Sequence, residues 1–427
     1  MTDLIVPLSS PQACAPELVG PKAATLAILG RAGLPVPEGV CLTVHAYRLQ
    51  MTALGFGEAA GALQSAAVLD PRRLSVMVRL GLYEGPLAAP IWQGLRALWR
   101  GQGAHWGLLA VRSSALIEDR ANANFAGQFQ SFLGVGEEAE LVTAVRACWA
   151  ALWSSHAGRA LARHGLDPGK TAMAVLIQPL IAARAAGGGL SRSGDDQMLL
   201  NATWGLGSAV AQGDVVPDRI VLTRQGFVRK IEPGRKEHRT ACQHGRGELS
   251  APVPAAMVET PCLTPGQAVT LGRLLRRCED ALGIPVEIEW ALDDRGFTVL
   301  QARPLTVAPA SMPDEIWARH PGLTGHPAGV GWGSGRACVV NCECELSRVG
   351  PGDVLVTRVA GPALAPMLAH VAGVVAERGG STSHLASLAR ERGIPMVLGV
   401  RDATRRIPDG AQVAVDGVAG LVRWTER

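Results

Sequence analysis

The stretch "VEIEWALDDRGFTVLQARP", residues 286–304, constrains the fold more than any other. Its strict alternation sets Glu287 and Glu289 on one face of a strand and Val286, Ile288 and Trp290 on the other. On the return strand Phe297, Val299, Gln301 and Arg303 share a face. The spacing predicts a three-residue loop, Asp294-Arg295-Gly296, with Gly296 left-handed. In that register Glu289 faces Gln301 and Glu287 faces Arg303. Carboxylate and amide oxygens side by side suit Mg²⁺, a hard cation that prefers oxygen. Arg303 would balance Glu287 or touch a phosphate. The same pattern also fits a solvated sheet face on which Glu and Arg pair.

A second stretch, "ERGGSTSHLASLARERGIP" at 377–395, carries its own helix signals. Val374 and Val375 close a strand, and Gly379 and Gly380 permit backbone angles closed to other residues. Ser381, Thr382 and Ser383 are N-cap types. Leu385, Leu388 and Ala389 then share a helix face, Arg390 and Arg392 fall in the last turn, and Gly393 and Pro395 end it. His384 therefore stands at the helix N-terminus, where free backbone N–H groups and the positive dipole end suit a phosphate. A neutral imidazole is a competent nucleophile near pH 7. Two readings stay open: a phosphohistidine site, and a histidine that caps its own helix.

Shorter signals accompany these. Lysine occurs only at 22, 170, 230 and 236, so each one draws notice. "ELVGPKAATLAILGRAGLPVPEGV" sets Lys22 in a Gly-Pro turn before a helix, where its ammonium can reach a phosphate as a point charge. "LLAVRSSALIED" runs an apolar strand into Arg112, a fork for phosphate oxygens. "NFAGQFQSFLGV" supplies Gly127, where backbone can approach a ligand, and Ser131. Ordinary surface salt bridges are the competing reading of each.

Bulk properties exclude more than they assign. With 427 residues the chain calls for two or three domains, and 48% hydrophobic content can fill their cores. The formal net charge is +4 with no Lys/Arg block, so neither nucleic acid nor an anionic membrane is an expected partner. No basic leader and no run of 18 apolar residues are present, so neither export nor a membrane span is expected. The nine scattered cysteines fit reduced thiols in a cytoplasmic protein. Cys338, Cys342 and Cys344 cluster without a convincing fourth metal ligand; His326 is the nearest candidate.

Residues 1–306 alternate helical and strand-like segments. A Pro-containing stretch over 307–322 reads as a linker, and 323–427 as a small α/β domain of short apolar runs separated by Gly and Pro.

Taken together these segments resemble the family of phosphoenolpyruvate synthase, pyruvate phosphate dikinase and rifampin phosphotransferase. "GPKAATL", "VRSSALIED", "NFAGQ", "WGLGSAVAQGDVVPDR" and "EIEWALDDRGFTVLQARP" are similar to its two-lobed ATP-grasp nucleotide-binding domain. "GHPAGVGWGSGRA" and "ERGGSTSHLASLARERGIPMVLG" are similar to its swivelling phosphohistidine domain. The resemblance implies that Lys22 and Arg112 hold ATP phosphates, that Gly127 and Ser131 belong to a nucleotide-contacting loop, and that Gln178 lies near the adenine. It implies Glu289 and Gln301 as Mg²⁺ ligands, Arg303 as a phosphate contact and Glu287 beside the nucleotide. His384 matches the carrier that takes the β-phosphate of ATP while AMP and phosphate leave. Residues 307–322 then become a hinge. Asn201 and Ser208 stand where relatives commonly carry glutamates. The pyruvate-binding barrel and the antibiotic-binding domain of relatives have no counterpart in the sequence. Two expectations follow. One is an ATP-dependent dikinase-type phosphotransferase acting on a small-molecule acceptor in a specialised biosynthetic or antibiotic-modifying pathway. The other is a phosphocarrier or nucleotide-binding subunit served by a separate acceptor-binding protein.

Overall fold

The computed structural model describes residues 4–57, 71–118, 129, 131–155, 157–158, 161, 166, 168–243, 245–307 and 317–425. The chain divides into two compact units. The first is Met1–Ile181 with Cys242–Leu249 and Val299–Arg303; the second is Ala182–Ala241, Ser250–Thr298 and Pro304–Arg427.

The first unit is built on strands β1 (Ile5–Pro7), β2 (Val40–Leu42), β3 (Leu109–Ala115), β4 (Ser131–Val135) and β5 (Met173–Pro179). They form an antiparallel sheet in the order β1-β2-β5-β3-β4. Helices α1 (Pro16–Arg31), α2 (Val44–Ala53), α3 (Pro71–Glu84), α4 (Ala89–Leu98) and α5 (Glu138–Ala151) complete the unit, with α1 and α5 lying against both β3 and β5. Strands β2, β3 and β5 are buried along almost their whole length, as a sheet covered by helices must be. The core closes around two tryptophans whose N–H groups are satisfied. Trp149 donates to the Met173 carbonyl at 3.0 Å and Trp153 to the Tyr47 hydroxyl at 2.8 Å.

In the second unit, β6 (Ala185–Leu190), β7 (Gln197–Trp204), β8 (Asp218–Thr223), β9 (Val228–Glu232) and β12 (Val286–Asp293) form an antiparallel sheet in the order β12-β6-β7-β8-β9. The start of β13 (Gly296–Pro304) continues from β12, and β10 (His238–Gln243) pairs with β11 (Gly247–Pro252). Helix α6 (Pro265–Leu282) packs on this sheet. Its capping box joins Thr264 and Gln267, and left-handed Gly283 ends it. A further sheet follows: β14 (Gly322–Thr324), β15 (His326–Pro327), β16 (Trp332–Val340), β17 (Val354–Thr357), β18 (Gly373–Ala376), β19 (Met396–Leu398), β20 (Gln412–Asp416) and β21 (Leu421–Trp424). Strands β16-β17-β18-β19 run parallel, flanked by antiparallel strands. Helix α7 (His384–Arg392) joins β18 to β19, and the short α8 (Ala403–Arg406) follows.

Two expectations are adjusted. The hairpin loop is two residues, Asp294-Arg295, because the Asp293 carboxylate takes the N–H groups of Arg295 and Gly296 at 2.9 and 3.2 Å and β13 begins at Gly296. Gly296 keeps a positive φ of 123°, which a side chain would resist. Cys342 and Cys344 are joined by a disulfide rather than being free thiols, whereas Cys41, Cys148, Cys262, Cys278 and Cys338 are free and buried. Burial pushes the Cys148 and Cys278 thiols up to about 12. Among the described residues no helix is long and apolar enough to cross a membrane, and no group of three His, Cys, Asp or Glu could hold a metal ion. Most of the 307–322 linker, residues 308–316, lies outside the described residues.

Candidate functional site

The geometry around His384 starts at Gly379, whose φ of 103° turns the chain after β18. Ser383 then has the extended backbone of an N-cap, and its hydroxyl accepts the Ala386 N–H at 3.3 Å. That cap makes His384 the first residue of α7, half-buried, with left-handed Gly393 closing the helix after Arg392. Ser381 and Ser383 are fully buried, and the Ser381 hydroxyl donates to the Pro327 carbonyl.

The turn rests on the β6–β7–β12 sheet. Asn201, fully buried on β7, accepts the Thr382 N–H at 3.1 Å and the Thr382 hydroxyl at 3.2 Å through Oδ1. Its Nδ2 donates to the Asp218 carbonyl at 3.1 Å. One turn further along α7, the Ser387 hydroxyl donates to Glu287, 3.0 Å from each carboxylate oxygen. Arg390 Nη2 meets Glu287 Oε2 at 2.8 Å, and its Nη1 reaches back to the Ser381 carbonyl. Arg390 and Glu287 are both buried, so the pair is screened little by solvent. Sequence reasoning placed Glu287 opposite Arg303; its carboxylate here takes Ser387 and Arg390. Glu289, two residues along the same strand face, is exposed.

In the first unit Gly20, φ 73°, breaks α1 before Pro21. A Cβ there would lie 2.3 Å from the Ser114 carbonyl oxygen, so only glycine brings this turn against β3. The break aims Lys22 at the end of β3, where its ammonium donates to Glu118 at 2.7 Å and to the Ser113 carbonyl at 3.2 Å. Arg112, on β3, donates to the Leu300 carbonyl at 3.1 Å. Gln178 is buried on β5, and its amide donates to the carbonyls of Pro37 and Glu38 at 3.3 and 3.4 Å. Ser131 is exposed at the start of β4, and Gln301 and Arg303 are half-buried on β13. Gly127 lies outside the described residues. The first unit thus holds Lys22, Arg112, Ser131, Gln178, Gln301 and Arg303, and the second holds Glu287, Glu289 and His384.

Sequence reasoning missed Glu118, Ser387 and Arg390 as partners, and it noted Asn201 only as a departure. Only Glu118 left a signal, a carboxylate three residues after the strand that carries Arg112. Ser208, the other departure, opens a single helical turn, Ser208–Ala211, with its hydroxyl buried and unpartnered among the described residues.

The family model described as pyruvate phosphate dikinase, AMP/ATP-binding domain, matches residues 16–321. The chain belongs to that family. The model for the mobile domain of PEP-utilising enzymes matches residues 349–420, a span that contains His384. Phosphoenolpyruvate synthase of Pyrococcus furiosus is 30% identical, over 95% of this chain and 56% of its own length. The probable phosphoenolpyruvate synthase of Methanothermobacter thermautotrophicus is 32% identical, over 95% of this chain and 61% of its own. The chain therefore spans little more than half of these family members. The D-alanine–D-alanine ligase of Bacillus anthracis complexed with ATP is 10% identical over 66% of this chain and 54% of its own, with a TM-score of 0.25, too faint a likeness to bear argument. The mixed α/β class expected from the sequence is the one observed.

Proposed function

We propose that the chain is an ATP-dependent phosphotransferase that works through phospho-His384. An imidazole nitrogen of His384 attacks the β-phosphorus of ATP, the bond to the AMP oxygen breaks, and AMP leaves. The γ-phosphoryl group then departs to water or phosphate, and the phosphoryl group left on His384 passes to an acceptor. The observation that carries this reading is a histidine at N1 of α7, behind a Gly-Gly-Ser-Thr-Ser turn, in a chain that matches both an AMP/ATP-binding model and a PEP-utilising mobile-domain model. Backbone N–H groups at that helix start favour a bound phosphoryl group.

Lys22 and Arg112 are read as phosphate contacts, Gln178 as an adenine neighbour, Gly127 and Ser131 as loop contacts, and Arg303 as a further phosphate contact. Glu289 and Gln301 offer a carboxylate and an amide oxygen, a donor set that fits Mg²⁺ with phosphate oxygens and water completing its shell. When bound, that ion would neutralise charge on the transferring phosphates. Glu287 is read as a link to α7 in place of a nucleotide contact. The functional division 1–306, 307–322 and 323–427 belongs to the same proposal, with 307–322 as the hinge. The acceptor is a small molecule, bound by this chain or presented by a separate subunit, and the compartment is the cytoplasm.

Incubation with β-labelled ATP and Mg²⁺ tests the reading. Acid-labile, base-stable label on the wild-type protein, lost in His384→Ala with ATP affinity retained, is expected. Label that survives His384→Ala would overturn it.

A further inference from the structure

We infer that Asn201 is a positioning residue that seats the His384 turn beside Glu289; the assignment rests on the reading of His384 as the phosphoryl carrier. Strand register supplies the argument. Gly188 on β6 lies opposite Glu289 of β12 on one side and opposite Asn201 of β7 on the other. Residues directly opposite in antiparallel strands project to the same face. Asn201, Gly188 and Glu289 therefore form one row across the sheet, each about 5 Å from the next. Thr382 fills the gap in that row. A Cβ on Gly188 would stand 2.4 Å from the Thr382 Cβ, so the missing side chain is the socket. Asn201 grips Thr382 from one edge of this socket, and Glu289 occupies the other. His384 follows Thr382 by two residues.

The next row on the same face holds Glu287 opposite Leu190, and Glu287 meets Ser387 and Arg390 of α7. The turn before the helix thus sits on the Gly188 row, and the helix itself meets the Glu287 row, two residues along β12. Contacts at Thr382, ahead of the helix, and at Ser387 and Arg390, within it, fix both its position and its rotation.

The amide at 201 is chemically specific. Its oxygen accepts twice from Thr382 while its nitrogen donates to the Asp218 carbonyl. A carboxylate has no proton to donate there, and at a fully buried site beside that carbonyl it would be an uncompensated charge. A leucine has the shape but neither function.

Two variants test the seat from opposite sides. Asn201→Leu removes the grip, and Gly188→Ala fills the socket without touching a polar group. Amide hydrogen exchange of the full chain, read on peptides covering 379–384, is expected to accelerate at least tenfold in both, while the core strands β17 and β18 keep their protection. His384 labelling under single turnover is expected to slow at least tenfold, with ATP affinity held within twofold. Thr382→Ser, which keeps both hydrogen bonds to Asn201, is expected to label at close to the wild-type rate. Exchange at 379–384 unchanged in both variants would overturn the seat. Faster exchange with unchanged labelling would reduce Asn201 to a structural residue and overturn the assignment. A wild-type protein that takes no label would sink the carrier reading instead, and the exchange comparison would still decide whether the seat exists.

Discussion

Lys22 and Lys236 each meet a buried carboxylate, yet the two regions handle the charge differently. Lys236 and its partner Asp218 are fully buried. Asp218 also takes the N–H groups of Gly234 and Cys262, at 2.8 and 2.7 Å, and the Lys236 ammonium donates again to the Gly234 carbonyl at 3.3 Å. That network encloses both charges. Lys22 keeps 14% of its side-chain surface in solvent while Glu118 keeps 2%, so this pair is not wholly enclosed. The contrast separates a cation closed off within the fold from one that stays partly open to solvent. A buried pair with every group satisfied is strongly destabilising to break, whereas a half-open one loses less.

The largest effect should therefore come from Lys236→Met. It strands Asp218 in the interior and is expected to cost about 3–5 kcal/mol in urea unfolding. A loss below about 1 kcal/mol would erase the distinction between the two lysines.

His326 sharpens the comparison, since it is perturbed by the same region. Burial, helped by the Arg219 charge and opposed by Glu232 and Asp218, lowers its pKa from 6.5 to about 4. The unfolded chain then takes up the proton first. The stability this neutral ring contributes is present above pH 6.5 and is lost as pH falls from 6.5 through about 4. Thermal melts across that window should show a loss of about 1–3 kcal/mol that His326→Asn largely removes. An identical acid limb in the variant would mean that other groups carry it.

Lys22→Met should cost less stability, about 1–2 kcal/mol, because Glu118 still accepts the Ala115 N–H at 2.9 Å. Labelling of His384 should nonetheless fall on the order of a hundredfold, the signature of a charge used on a ligand. Equal losses of stability in Lys22→Met and Lys236→Met, with labelling intact in the former, would reverse the assignment. At the small end, Arg348→Ala removes an ion pair to Asp409 whose side chains are 47% and 51% exposed. Unfolding should shift by no more than about 0.5 kcal/mol.

Much of the local structure was legible in advance. The ends of α7 followed from Ser383 and Gly393, since cap and stop signals act within a few residues. The alternation of β12 correctly buried Val286, Ile288 and Trp290. The Gly-Pro break before Lys22 was legible for the same reason. Glu287 was not: alternation groups it with Glu289, but α7 covers one and leaves the other exposed. Nor was the role of Asn201, whose partner Thr382 lies 181 residues away.

Sequence alone determined the ends of α7 and that a histidine would open it, because capping is settled by near neighbours. Only the tertiary structure decided which partner each buried polar group takes. Those choices depend on strand register across β12, β6 and β7 and on the helix laid over them, and a pairing between distant residues leaves no periodic mark in the chain.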